Sequence, residues 1–203
     1  MVLYPTYFSP IAHYAALAKT NDVIFEVEDN YQKQTFRTRC YIYGANGKLL
    51  LNIPIQHGES IKTKDIKIDT KFHWPKQHIK ALQVAYRSSP YFEFYEEDIL
   101  TVFNKMPKFL LDFNFKCQEV ILKLLDLEVS YIVTNKYMKE YKNSVDFRFL
   151  VDAKSKRDYN FNKYIQVFSV KLGFIENLSI LDLLFMEGPN ALSYLENQNI
   201  EFI

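Results

Sequence analysis

The sequence predicts an α+β protein, with a single domain over residues 1–203 in which helices pack on a mixed sheet that contains a β-hairpin. Two β-prone runs, 36–43 and 48–55, flank an Asn-Gly turn, which is the strongest short-range signal for a hairpin. Several other segments carry apolar residues at the three- and four-residue spacing of helices. No internal repeat, low-complexity tract or linker divides the chain, so we expect one domain.

The first thirty residues predict a strand, a helix and a second strand. Residues 1–4 are short and apolar, as in a buried strand. Ser9 and Pro10 predict the start of the helix, with Ser9 as the N-cap and Pro10 in the first turn. The β-prone run 23–27 predicts the next strand.

Alternation within the hairpin predicts which side chains share a face. One face carries Phe36, Thr38, Cys40 and Ile42, and the other carries Arg37, Arg39, Tyr41 and Tyr43. The first face is the more apolar, so the Cys40 thiol is expected to be packing rather than a nucleophile. Residues 61–68 predict a further strand with its lysines in solvent.

Two helices are predicted on either side of a Ser-Ser-Pro break. Pro75 follows Trp74 as if in a first helical turn, where its missing N–H costs nothing. Ser89 precedes Pro90 and is therefore biased out of the α region, so this helix is expected to end near residue 87 or 88. Apolar residues then recur at helical spacing over 91–106.

The C-terminal half predicts a helix over 110–125, a strand over 129–134, a short strand over 147–151, and a weak strand or loop over 164–170. Ser179 and Asp182 have the spacing of a capping box at the start of another helix, which Gly188 and Pro189 end. A last short helix is predicted at 191–196.

Composition narrows the classes of function. The 25 basic and 24 acidic residues give a net charge of +1, which does not favour a nucleic-acid partner. No apolar run approaches the ~20 residues of a membrane span, and the N-terminus lacks the basic region of a signal peptide. Two cysteines give no disulfide framework, so we expect a cytoplasmic protein. The 17 Phe and 15 Tyr suit either a polar ligand groove or a core filled by rings.

Arg37 and Arg39 are the first candidate binding residues. On one strand face, their guanidinium groups could hold a phosphate or carboxylate bidentately. The alternative is a solvated face on which they pair with Asp22, Glu28 or Asp29. Phosphate-binding glycine loops, the HExxH motif and the CxxC motif are absent from the sequence, which leaves any cofactor unknown.

Histidines supply the candidate catalytic groups. His78 lies next to the apolar stripe of its helix and could act as a general base, because a neutral imidazole titrates near the working pH. His13, on the first helix, is either a second catalytic group or a surface histidine. His73 could share a zinc ion with His78 only if it precedes the helix, and we predict no metal.

Aromatic side chains could complete the same site. Tyr31, Trp74 and Tyr86 are predicted to form a wall that faces a sugar, with His73 as a further substrate-binding group. We expect His78 and the two arginines to face a common hollow.

Five segments of the chain resemble the WbqC-like protein family, in the shorter form found in Bacteroidetes-type bacteria. They read YPTYFSP (4–10), DNYQKQTFRTRC (29–40), WPKQH (74–78), YRSSPYFEFY (86–95) and LSILDLLFMEGP (178–189). Together they span almost the whole chain, and several are long enough to be specific.

The resemblance implies a place in surface-polysaccharide (O-antigen type) biosynthesis, because members occur mainly in such gene clusters. It implies a transferase that acts on an activated sugar or on its acyl or aminoacyl donor. The alternative is a non-catalytic binding or assembly protein that contacts a protein partner through an aromatic-rich surface.

Overall fold

The described residues form two small sheets. Strands β1 (Val2–Leu3), β2 (Asp22–Phe25) and β5 (Ser130–Val133) form a parallel sheet in the order β1-β2-β5. Strands β3 (Arg39–Gly44) and β4 (Gly47–Asn52) form a separate antiparallel hairpin. The computed structural model describes residues 1–56, 58 and 61–200, and it confirms the α+β class with a hairpin.

Helices connect and cover these strands. They are α1 (Ile11–Leu17), α2 (Trp74–Tyr86), α3 (Phe92–Leu100), α4 (Leu110–Leu124), α5 (Ser169–Leu172), α6 (Ile180–Glu187) and α7 (Ala191–Glu196). The predicted helices over 110–125 and 191–196, and the helix that ends near residue 87, are confirmed. The predicted second central helix is divided, since α3 is followed by a 3-10 turn at Thr101–Phe103.

The predicted N-cap of α1 is wrong by one residue. The helix begins at Ile11 with Pro10 at the N-cap position. The Ser9 hydroxyl instead bonds to Thr6, 2.5 Å away. The free N–H of Ala12 is taken up by the Asn177 side chain at 2.8 Å, so a distant loop caps the helix.

The hairpin is confirmed, although its strands are shorter than the apolar runs. Gly44 pairs with Gly47, which has a φ of 106° that suits glycine. Because β3 begins at Arg39, the expectation that Arg37 and Arg39 share one strand face is wrong. Cys40 is buried as predicted, but Tyr43 on the opposite face is buried too.

Two predicted strands form 3-10 turns instead. In the run 61–68 the turn occupies Thr63–Asp65, because Ile61 and Thr63 bond to the backbone of residues 29–31 rather than to a sheet. In the run 147–151 the turn occupies Arg148–Val151. The residues just before it, 145–147, run beside β1. The Arg148 N–H then donates to the Asp146 side chain, which turns the chain.

Helix α6 begins and ends as predicted. The Ser179 hydroxyl accepts a hydrogen bond from the Leu181 N–H, as an N-cap does. Gly188 ends the helix with a φ of 52°, and a Cβ there would lie 2.5 Å from the Tyr91 ring. The Asp182 side chain does not complete the capping box, because it bonds to Tyr86 and to other side chains.

A single cluster of buried apolar side chains runs from Leu3 to Ile200 and includes the whole of α1. Aromatic rings of Tyr7, Phe113 and Trp74 pack at its centre. Both cysteines are free and buried, in keeping with their interpretation as packing. Among the described residues, no helix is both long and apolar enough to cross a bilayer.

Candidate functional site

Polar side chains collect at the carboxyl edge of the parallel sheet. Tyr4 follows β1, Glu26 follows β2 and Thr134 follows β5. Because the three strands are parallel, their carboxyl ends lie at the same edge. Ligands of open sheets with parallel strands commonly bind beyond that edge.

Two adjoining cavities at this edge, which share Tyr4 and Gln32, form what we call the sheet-edge cleft. The larger measures about 670 Å³, within the usual range of ligand sites, and the smaller about 200 Å³. The larger is lined by Tyr4, Gln32, Lys33, Thr35, Asp146, Arg148, Phe149, Val151, Asp152, Ser155 and Arg157. The smaller is lined by Tyr4, Asp29, Asn30, Gln32, Lys62 and Tyr137. Three cationic side chains face two anionic ones in the larger cavity.

A buried ion pair lies against the cleft. Arg37 Nη2 donates to Asp29 Oδ2 at 2.6 Å, and its guanidinium lies 4.1 Å from the centre of the Tyr4 ring. Asp29 Oδ1 and the Nε and Nη1 of Arg37 make no hydrogen bond of ordinary geometry among the described residues. Burial raises the pKa of Asp29, and the charge of Arg37 offsets part of that rise. Burial, with Asp29 nearby, also raises the pKa of Tyr4 to about 12.

A second ion pair, between buried Arg148 and half-buried Asp146, holds the wall of the cleft in place. Arg148 bonds to the Asp146 carboxylate at 2.6 Å and to the backbone carbonyls of Met138 and Lys139. Glu26, which is almost fully buried, accepts hydrogen bonds from Thr134 at 2.8 Å and from the Tyr141 hydroxyl. These bonds tie the segment that follows β5 to the end of β2.

Two further cavities, of about 510 and 480 Å³, share Asn52, Pro54 and Phe72 and form the hairpin groove. One is lined by Tyr31, Lys33, Gln34, Thr38, Arg39, Asn52, Ile53, Pro54, Ile55, Asp69 and Phe72. The other is lined by Asn52, Pro54, Lys71, Phe72, His73, Trp74 and Gln77. Lys33 lines both the hairpin groove and the sheet-edge cleft, so the two hollows adjoin.

Four of the predicted site residues meet at the hairpin groove: Tyr31, Arg39, His73 and Trp74. Arg39 and Tyr31 are half-buried, and His73 is exposed immediately before α2. Trp74 is buried, yet its indole N–H has no hydrogen-bond partner among the described residues. The groove therefore combines aromatic side chains with the half-buried Arg39 and the exposed His73.

His78 is enclosed by packing instead of facing the expected common hollow. Its Nδ1 lies 2.9 Å from the Tyr7 hydroxyl, and its ring also hydrogen-bonds to the backbone of Asn52. The Trp74 ring packs edge-on against it at 4.9 Å. Burial lowers the pKa of His78 to about 4. The imidazole packs against Tyr7 and Trp74 and lines neither cavity of the hairpin groove, so this geometry does not support the predicted general base.

His13 and Tyr86 also lie in the interior. Burial lowers the pKa of His13 to about 3, and its Nε2 makes no hydrogen bond of ordinary geometry. The Tyr86 hydroxyl donates to Asp182 at 2.7 Å and accepts from the Tyr43 N–H. His57, which falls outside the described residues, is not placed.

Signs of the sheet-edge cleft are visible in the sequence, although they belong neither to a known motif nor to a helical pattern of apolar residues. Tyr4 and Glu26 each lie at or next to the last residue of a predicted strand, 1–4 and 23–27, close to the edge where a parallel sheet places its ligand groups. Asp29 was one of three carboxylates expected to pair with the arginines, but the pair with Arg37 is buried rather than solvated. Arg148 and Arg157 lie in a segment without a clear periodic pattern, so no local signal identifies them.

Metal ligation finds no support among the described residues, where no group of three His, Cys, Asp or Glu side chains could hold an ion. The side chains that line the hollows are cations, carboxylates, aromatic rings and amides. No curated protein and no solved structure matches the chain. Residues 5–159, more than half of its length, match the model of the WbqC-like protein family, and the chain belongs to that family.

Proposed function

We propose that the chain is a cytoplasmic protein of surface-polysaccharide (O-antigen type) biosynthesis, a transferase that acts on an activated sugar or on its acyl or aminoacyl donor. Family membership supports the biological setting. Two free, buried cysteines fit a reducing compartment. The observation that carries the proposal is the cationic sheet-edge cleft, which adjoins an aromatic groove.

Lys33 and Arg157 are the groups we assign to the charged end of the ligand. Both are exposed and line the larger cavity of the sheet-edge cleft. Arg157 lies over the Phe149 ring at 4.3 Å, which limits its freedom and prepares a planar donor. A phosphate or carboxylate is the ligand group that such a pair of cations favours.

We assign the hairpin groove to the sugar part of the ligand. Tyr31, Phe72 and Trp74 offer ring faces or edges on which the apolar side of a pyranose can pack. The half-buried Arg39 guanidinium offers donors to hydroxyl groups. Since Lys33 lines both hollows, one ligand can place its phosphate in the cleft and its sugar in the groove.

A thermal-shift titration with nucleotide sugars and acyl-coenzyme A thioesters tests the proposal, because a ligand of the folded state raises Tm by mass action. The double variant Lys33→Ala/Arg157→Ala should weaken the Kd of a ligand by about tenfold or more, since two charge-assisted contacts are removed. Lys171→Ala is the matched control, because Lys171 is exposed and lines neither hollow. A ligand that binds the double variant as tightly as the parent protein would contradict the assignment.

A second candidate is a non-catalytic binding or assembly protein. It is favoured by the exposed apolar side chains of β5, which lie outside both hollows. Failure of every tested nucleotide sugar and thioester to shift Tm would favour this alternative over the transferase.

A further inference from the structure

The two edges of the parallel sheet differ. Beside β1, the chain at 145–147 covers the edge, since Val2 N–H donates to Val145 O at 2.8 Å and Phe147 N–H donates to Val2 O at 2.9 Å. Beside β5, none of the described residues forms a ladder on the outer side. Strand edges left open in this way pair readily with another strand.

Backbone alternation identifies the groups that β5 leaves unpaired. Ser130 N–H donates to Asn21 O at 2.9 Å, and Thr134 N–H donates to Phe25 O at 3.0 Å. Alternate residues of a strand direct their N–H and C=O groups to opposite neighbours. The N–H and C=O groups of Tyr131 and Val133 therefore point away from β2, towards the open edge.

The side chains of this edge are apolar and exposed. Tyr131, Ile132 and Val133 are 42%, 64% and 52% exposed, and Tyr137 and Met138 just beyond the strand are exposed too. Charged residues lie on either side, with Glu128 before the strand and Lys136 after it, and both are exposed. Neither forms an ion pair among the described residues.

We propose that a second copy of this chain pairs with β5 antiparallel, about a two-fold axis at Ile132. In that register Tyr131 exchanges both backbone hydrogen bonds with the partner's Val133, so the unpaired groups of both edges are satisfied. Ile132 packs against the partner's Ile132 at a non-hydrogen-bonded position. Glu128 and the partner's Lys136 lie beyond the same end of the paired strands, since the two residues are equally distant from the axis in sequence.

The complementary charges favour a second copy over an unrelated strand. A two-fold axis brings the same surface of both copies together in opposite directions. An edge with an acidic residue at one end and a basic residue at the other therefore matches a second copy of itself. The pairing joins two three-stranded sheets into one continuous sheet of six strands. It also removes the exposed edge and the apolar strip together.

Disulfide trapping tests the register. The Ile132→Cys variant should form a covalent dimer under mild oxidation, because Cα atoms at such a position lie about 4.5 Å apart. The two native cysteines are buried and do not compete. Val84→Cys, at an exposed apolar position on α2, is the control, and cross-linking at 132 should be about tenfold faster or more. Equal rates for the two variants would overturn the proposal.

Charge reversal tests the interface without oxidation. Sedimentation or light scattering of the parent protein should give twice the monomer mass, and Glu128→Lys should shift it towards the monomer. The double variant Glu128→Lys/Lys136→Glu should restore the dimer, since each new lysine again faces an acid. The proposal would be overturned by a parent protein that remains monomeric at all concentrations. It would also be overturned by a double variant that dimerises no more strongly than the single variant. Neither outcome depends on ligand binding, so the result stands apart from the proposed transferase function.

Discussion

Two buried aspartates of this protein have different surroundings. Asp182 in α6 is fully buried, and it accepts hydrogen bonds from Tyr86 at 2.7 Å, Tyr164 at 2.5 Å and Gln166 at 3.0 Å. Asp29 is almost as deeply buried, but its carboxylate has one side-chain partner of ordinary geometry, Arg37. Burial raises the pKa of both carboxyl groups.

The difference separates a structural network from a candidate site. Asp182 lines neither hollow, and its three donors lie at the end of α2 and in the segment before α5, which it joins to α6. Asp29 lines the sheet-edge cleft, and three polar atoms of the Asp29–Arg37 pair make no hydrogen bond of ordinary geometry among the described residues. A perturbed pKa alone does not distinguish the two, whereas unused hydrogen-bonding groups beside a cavity do.

Removal of the Asp182 carboxylate should give the largest loss of stability. Asp182→Ala leaves two tyrosine hydroxyls and an amide without their acceptor, and it should lower the free energy of unfolding by about 4 kcal/mol. Urea denaturation measures the change. Asp98→Ala is the control, because Asp98 is half-exposed with only a 3.6 Å pair to Lys123, and it should cost less than about 1 kcal/mol. If Asp182→Ala loses as little stability as Asp98→Ala, the hydrogen bonds of Asp182 do not form a stabilising network.

Local signals account for most of what the sequence predicted. The Asn46-Gly47 turn, Pro75 in a first helical turn and the Ser179 N-cap each depend on residues close in the chain, and all three are present. The 3-10 turns at 63–65 and 148–151 were not predicted, because bonds to residues 29–31 and to Asp146 override β propensity there.

The candidate site was less predictable than the fold. Aromatic and cationic residues around the hairpin were recognised by type, and four of them line the groove. The bond between Glu26 and Tyr141 joins residues 115 apart in sequence, and no periodicity in a single sequence encodes such a contact. Burial of His78 depends on Tyr7, 71 residues away, so its placement also needs the tertiary structure.

The pH dependence of stability should show that His78 belongs to the packed interior, like Asp182. The unfolded chain protonates this imidazole below its ordinary pKa of 6.5, whereas the folded chain does so only near pH 4. The unfolded state therefore binds more protons in this window, and His78 should cost up to about 3 kcal/mol of stability as the pH falls from 6.5 to 4. His13, with its pKa lowered to about 3, contributes in the same direction.

His78→Asn should remove the His78 contribution to this slope and leave those of His13 and of the buried carboxyl groups of Asp29 and Asp182, as measured by urea denaturation at several pH values. Gln77→Asn, at the exposed neighbouring position, should keep the full slope. An unchanged slope in the His78 variant would show that its imidazole is protonated in the folded state and is accessible after all.

Joint replacement of Asp29 and Arg37 should have the smallest effect on stability. A buried ion pair gains little beyond its desolvation cost, so Asp29→Leu/Arg37→Met should lie within about 1.5 kcal/mol of the parent protein. Asp29→Leu alone should cost about 3 kcal/mol, because it leaves the Arg37 charge unpaired. Urea denaturation compares the two variants, and the thermal-shift titration follows ligand binding. If the Asp29–Arg37 pair contributes to ligand binding in the cleft, the double variant should stay folded and lose the ligand-induced rise in Tm. Asp182→Ala should do the opposite and lose stability. A large loss of stability in the double variant, with ligand binding intact, would make Asp29 a structural residue like Asp182.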